Sequence, residues 1–312
     1  MSGVRRPVPR FRCARTLRVA ALALLMLPLA CGAPSGTTRT VVDTRSGPLD
    51  VTRGVLRVAG GALQYEEAGH GAPVVLLHGG QLDSRMWDAQ FGVLAAHYRT
   101  IRYDARGYGH SSPPAGAYSH AADLLALLDQ LDVQRANLVG LSLGGRIAVD
   151  FALAHPERVA SLVLAGPGLS GWDWSDESRD PALQQTIASG DRARIAAAWL
   201  AGPYMAPAMS HADLAPRLRE LAADNAGSFL QPERETPLQP PAAGRLGELH
   251  GPVLLIVGSR DVKDIQDIVE RLAAKVQGAR VATFDGAGHM VNMEQPDAFN
   301  HEVLGFLAEV TR

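Results

Sequence analysis

The 312-residue chain carries 30 basic and 32 acidic side chains, for a formal net charge of -2, and is 46% hydrophobic against 20% charged. Those proportions exclude a disordered tail protein, a collagen-like fibre and a coiled coil. A balance this even provides no broad basic face for a nucleic acid backbone, and the length allows one or two domains with room for a sizeable core.

Arg5, Arg6, Arg10, Arg12, Arg15 and Arg18 come first, followed by an apolar run over 19–30 and then Cys31. A membrane span takes about 20 residues, so a basic start joined to a shorter run reads as a signal peptide over 1–31 and an exported chain. Cys31, after Ala30 and before Gly32, stands where a bacterial lipoprotein signal has its lipidated cysteine. Membrane attachment through Cys31 is therefore expected, with a periplasmic or secreted product as the alternative. Cys13, the only other cysteine, lies in the same leader, which leaves the rest without a disulfide, a zinc-thiolate site or a thiol nucleophile.

Residues 32–53 are rich in Gly, Ser, Thr, Pro and Asp with no apolar period, which reads as a linker. A hairpin is expected next, with 55–59 and 63–68 flanking Gly60-Gly61. Short apolar runs predict strands at 74–77, 100–103, 136–141, 160–165, 253–257 and 279–284. Helical stripes fall between them at 84–95, 121–131, 143–154, 265–276 and 296–310. This alternation predicts an α/β fold, a mostly parallel central sheet flanked by helices. One stretch breaks the rhythm. Residues 168–247 are too long for a bare loop, and with helical segments at 191–200 and 213–223 they read as an inserted helical cap. The core would then be 54–167 and 248–312.

The chemistry begins at Gly140-Leu141-Ser142-Leu143-Gly144-Gly145, where a predicted strand runs into a predicted helix. A serine on that sharp turn exposes its hydroxyl above the sheet as a nucleophile, and glycines two residues away let strand and helix backbones approach. Serine needs a base, usually a histidine oriented by a carboxylate. His289, in Gly286-Ala287-Gly288-His289, follows the last strand at the carboxyl edge of the sheet. Asp261, in Gly258-Ser259-Arg260-Asp261, follows the neighbouring strand and is the orienting acid, whereas Asp264 reads as an exposed carboxylate at a helix N-terminus. An oxyanion needs two placed donors. The backbone N–H groups of Leu143 and Gly80 are expected to supply them, with His78 organising the turn before Gly79-Gly80. No metal or cofactor is called for.

In order along the chain, HGG at 78–80, YDARGYGHSSPP at 103–114, GLSLGG at 140–145, GSRD at 258–261 and GAGHMVNMEQP at 286–296 resemble the α/β-hydrolase family over residues 54–312. The stretch SRMWDAQ at 84–90 together with GLSLGG is most similar to 3-oxoadipate enol-lactonases and related esterases. The resemblance implies an α/β-hydrolase fold with a helical cap over the site, and a small carboxylic ester or lactone opened through an acyl-enzyme. Trp172, Trp174, Trp199, Tyr204 and Met205, with Met209 and Phe229, would then line the substrate pocket, the alternative for each being the cap's own core. Carbon–carbon bond hydrolases, a sister group, have Asn before the nucleophile where this chain has Leu141. The same triad also serves cofactor-free haloperoxidases, perhydrolases and acyltransferases, and a hydrolase fold can be a ligand-binding protein without turnover.

Overall fold

Among the described residues, nine strands form one sheet: β1 (Thr38–Thr44), β2 (Gly47–Val58), β3 (Gly61–Ala68), β4 (Pro73–Leu77), β5 (Arg99–Tyr103), β6 (Ala136–Leu141), β7 (Val159–Ala165), β8 (Val253–Gly258) and β9 (Arg280–Phe284). The structure is a computed structural model, and it describes residue 3 and residues 37–44, 47–178, 180–231 and 234–311. Apart from Gly3, the expected signal peptide lies outside the described residues, and Cys31 with it. The spatial order is β1-β2-β3-β5-β4-β6-β7-β8-β9. The pairs β1/β2, β2/β3 and β3/β5 are antiparallel, and every pair from β5/β4 to β8/β9 is parallel.

The helices are α1 (Asp88–Ala95), α2 (His120–Gln130), α3 (Leu143–Ala154), α4 (Pro181–Ile187), α5 (Arg192–Ala201), α6 (Ala206–Met209), α7 (Ala215–Asn225), α8 (Lys263–Lys275), α9 (Val291–Glu294) and α10 (Pro296–Val310). Period-two side chains decide which helix each strand face meets. Val75, Leu77, Leu138, Leu162, Leu164 and Leu255 pack with Leu124 of α2, Phe151 of α3 and Ile268 of α8. Their neighbours Val74, Leu76, Val139, Val163, Leu254 and Ile256 pack on the opposite face with Phe91 of α1 and Phe299 and Leu307 of α10. Both faces are therefore covered, as parallel strands require. Each such side chain contributes about 1.5–3 kcal/mol by leaving water.

Residues 38–44 and 47–53, expected as part of a linker, are strand. Their apolar residues are few and scattered among polar ones, so no apolar run marks them, yet Val51 is buried opposite Ala68 and Thr40. Arg53 adds cross-strand bonds to Glu66 of β3 and to Thr40 of β1. The β2–β3 turn falls on Ala59-Gly60, one residue earlier than expected, with Gly60 at φ 73. Glycine adopts that left-handed conformation at no steric cost.

Helices α4 to α7 all lie in the connection between β7 and β8. Asp180 caps α4 by accepting from the Leu183 N–H, and Asp191 caps α5 through the N–H groups of Ala193 and Arg194. Ile195, Leu200, Leu218 and Leu221 bury the inner faces of α5 and α7. Polar ties join this segment to the sheet side: the buried Asn225 amide donates to Asp83 at 2.8 Å and accepts from the Gly109 N–H at 2.9 Å. No helix among the described residues is long and apolar enough to cross a membrane.

Candidate active site

β6 ends at Leu141 and α3 begins at Leu143, so Ser142 alone makes the turn, at φ 55 and ψ -112. A positive φ is uncommon outside glycine and persists only where the surroundings impose it. Here they do. The Ser142 N–H donates to Ala165 O at 3.1 Å, and its carbonyl accepts from the N–H groups of Arg146 at 3.0 Å and Gly168 at 2.9 Å. A Cβ on Gly140 would lie 2.4 Å from Gly144 O, and one on Gly144 would lie 2.0 Å from Leu77 O. Those two positions have room only for hydrogen.

His289 sits in the loop between β9 and α9, with Nδ1 at 3.0 and 2.9 Å from the two carboxylate oxygens of Asp261, just beyond β8. The two side chains are 6% and 1% exposed. Carboxylate oxygens only accept, so Nδ1 carries the hydrogen, and the neutral ring keeps Nε2 as an acceptor. Asp261 also accepts from the Val262 N–H at 2.8 Å. Gly166, at φ 45 beyond β7, passes against this pair; a Cβ there would meet Asp261 Oδ2 at 3.0 Å and His289 Nδ1 at 3.2 Å. Glu294 supports the same loop. Its side chain is fully buried, and its two oxygens accept from Gly288 N at 2.9 Å and Met290 N at 3.0 Å. Gly166 and Glu294 both escaped the sequence reading, although Gly166 stands in a Gly-Pro-Gly punctuation and Glu294 in the GHMVNME stretch.

Gly79, Gly80, Ser142, Leu143 and His289 line one cavity of about 560 Å³, a size suited to a small organic ligand. Leu143 opens α3, so its N–H is among those a helix leaves free at its positive end. The space beside Gly80, where a side chain would project, is bounded by Leu143 Cβ and Cδ2 at 3.8 Å and Tyr108 Oη at 3.9 Å. His78 is buried and uses both ring nitrogens: Nδ1 donates to Gly79 O at 2.7 Å, and Nε2 accepts from Ala105 N at 2.8 Å. It braces the turn carrying Gly79 and Gly80.

Trp174, Trp199, Tyr204, Met205 and Phe229 line the cavity, and Tyr204 meets His289 edge-on with ring centroids 5.0 Å apart. Trp172 and Met209 are not among the lining residues. The Trp172 indole packs on the core, stacks beneath Arg271 at 5.9 Å and donates Nε1–H to Asp264 at 3.1 Å. Met209 packs in the layer on the α10 side. Asp264 is accordingly no exposed helix-end carboxylate; it is 5% exposed and also accepts from Ser175 N at 3.0 Å and Ser175 Oγ at 2.7 Å. Burial alone would raise this carboxyl, but the neighbouring Ser178 and Ser175 hydroxyls, the Trp172 indole and the Ser175 N–H prevail and hold it down at about 2.

Arg146, the one arginine lining the cavity among the described residues, is committed to Glu235 through NH1 at 2.9 Å and NH2 at 2.7 Å. Burial works against both charges, yet the pairing raises the guanidinium and lowers the carboxyl. Among the described residues no group of three or more His, Cys, Asp or Glu is placed to hold a metal ion.

The alpha/beta hydrolase family model matches residues 74–302. A 2-hydroxy-6-oxononadienedioate/2-hydroxy-6-oxononatrienedioate hydrolase of Paraburkholderia xenovorans is 34% identical over 262 residues, covering 79% of this chain and 90% of that protein. The carboxylesterase YbfK of Bacillus subtilis is 31% identical over 247 residues, covering 75% of this chain and 79% of its own. Among solved structures, the enol-lactonase of Burkholderia xenovorans superposes with a TM-score of 0.69 at 27% identity, covering 81% of this chain and 99% of that one.

Proposed function

The chain belongs to the alpha/beta hydrolase family and is an ester-bond hydrolase; from that premise we propose that it cleaves a small carboxylic ester or lactone through an acyl-enzyme on Ser142. The observation that carries this reading is the buried Asp261–His289 pair on the cavity into which the Ser142 turn projects. His289 Nε2 takes the hydroxyl proton as Ser142 Oγ attacks the carbonyl carbon, and the N–H groups of Gly80 and Leu143 receive the oxyanion. The proton then passes to the leaving alcohol oxygen as its bond to carbon breaks. Water repeats the sequence on the acyl-enzyme, with His289 again as base, and releases the acid. Asp261 stays ionised throughout and fixes the tautomer.

Two features favour an uncharged substrate over the dicarboxylate named for the first relative. Arg146 is already neutralised by Glu235, and Asp180 adds a carboxylate to the lining. Turnover of a panel of short p-nitrophenyl esters and lactones tests the reading. Wild type should hydrolyse them, and Ser142→Ala, His289→Ala and the double variant should each lose several orders of magnitude in kcat, the pair costing little more than one. Near-wild-type turnover by Ser142→Ala would refute it. The leader supports an enzyme working outside the cytoplasm, tethered by lipid on Cys31.

A further inference from the structure

We infer that the Tyr108 hydroxyl is a third hydrogen-bond donor to the carbonyl oxygen of the bound ester, beside the N–H groups of Gly80 and Leu143. This rests on the acyl-enzyme reading above. Tyr108 belongs to the loop after β5 and lines the cavity with Ser142 and His289. Its Oη and the Leu143 side chain border the same small space beside Gly80, at 3.9 and 3.8 Å from the point where a Gly80 side chain would begin. An oxygen seated there would lie against Gly80, with the phenol bordering it.

The phenol ring is held in place. Its ring stands edge-on to His78, with centroids 5.3 Å apart and planes at 76°, and both His78 nitrogens are bonded. On the backbone, Tyr108 N donates to Ala105 O and Tyr108 O accepts from Ser111 N, each at 3.0 Å. Its Oη has no hydrogen-bond partner among the described residues and is open to the cavity, so the hydroxyl is available to a bound ligand. A phenylalanine would keep the ring contact with His78, so packing alone gives the hydroxyl no role. The group is also in the right form to donate. Burial pushes it up, Arg146 pulls it down and Glu235 pushes it up again, to about 12 in sum, so it keeps its proton at any working pH.

The test is Tyr108→Phe in the full-length enzyme, with kcat and KM for p-nitrophenyl butyrate and the inhibition constant of benzeneboronic acid. The boronate forms a tetrahedral adduct on a nucleophilic serine and places an oxygen where the oxyanion would be. Loss of one such donor lowers kcat by about 100-fold. The expected result is a loss of that order, little change in KM, and a parallel weakening of the boronate. A role in packing alone would leave the boronate's relative affinity untouched. Unchanged kcat and boronate affinity in Tyr108→Phe, with an active and boronate-sensitive wild type, would overturn the Tyr108 role and leave the triad standing. A wild type that neither hydrolyses the ester nor binds the boronate would overturn both.

Discussion

Glu294 grips His289 from both sides: its buried carboxylate accepts the N–H of Gly288 at 2.9 Å and that of Met290 at 3.0 Å, so the backbone flanking the imidazole cannot turn. The histidine is thus fixed twice, through its ring by Asp261 and through its main chain by Glu294. Replacing Glu294 by Ala leaves two buried donors unpaired, at about 1–3 kcal/mol each. Glu294→Ala should lower the urea midpoint and reduce kcat by at least about 10-fold with little effect on KM, since a misplaced base costs the transition state most. Unchanged kcat in the folded variant would remove Glu294 from the positioning of His289.

Gly166 presses on the same pair from the β7 side. Its φ of 45 strains any side chain placed there, and the 3.0 Å approach of a would-be Cβ to Asp261 obliges the pair or the loop to give way. Gly166→Ala should therefore displace the pair and cut kcat by more than about 10-fold. The downfield proton resonance of the Asp261–His289 hydrogen bond should shift or broaden in the variant. An unperturbed resonance would show that the loop yields instead.

Asp264 gives a pH signature separate from catalysis. Its folded carboxyl is depressed from 3.8 to about 2, so it contributes stability above the unfolded value that is lost as pH falls through the folded one. Melting temperatures of wild type and Asp264→Asn should differ most near neutral pH and converge as pH falls from about 4 to about 2. A gap that stays constant over that range would mean the Trp172 and Ser175 bonds do not depend on the charge.

The parallel sheet was legible in the sequence because buried strands leave short apolar runs between glycines and prolines; 136–141, 143–154 and 296–310 are read there with the same bounds as β6, α3 and α10. β1 and the start of β2 were not, because an edge hairpin with one apolar residue in two or three carries no run, and its cross-strand pairs become visible only once β3 is in place. The contact between Asp261 and His289 could be anticipated, since each lies in the loop that follows one of two neighbouring strands. Trp172 could not be assigned to Asp264 from sequence: the two are 92 positions apart, and nothing local distinguishes an indole facing the core from one facing a pocket. Gly166 acts by lacking a side chain and Glu294 through bonds to main-chain N–H groups, and neither leaves a pattern in the sequence.

For the leader, Cys31→Ser should move the protein from the membrane fraction to the soluble one or block its processing, with esterase activity retained. An unmodified soluble N-terminus downstream of Cys31, found by mass spectrometry of the native protein, would replace the lipid tether with simple secretion.

The acyl-enzyme itself is the most direct object of measurement. Brief reaction with p-nitrophenyl acetate at low pH, followed by acid quench, proteolysis and mass spectrometry, should find one acetyl group, on the peptide containing Ser142, and none in Ser142→Ala. Acetyl on another residue, or full turnover with Ser142 never modified, would contradict nucleophilic catalysis at this turn.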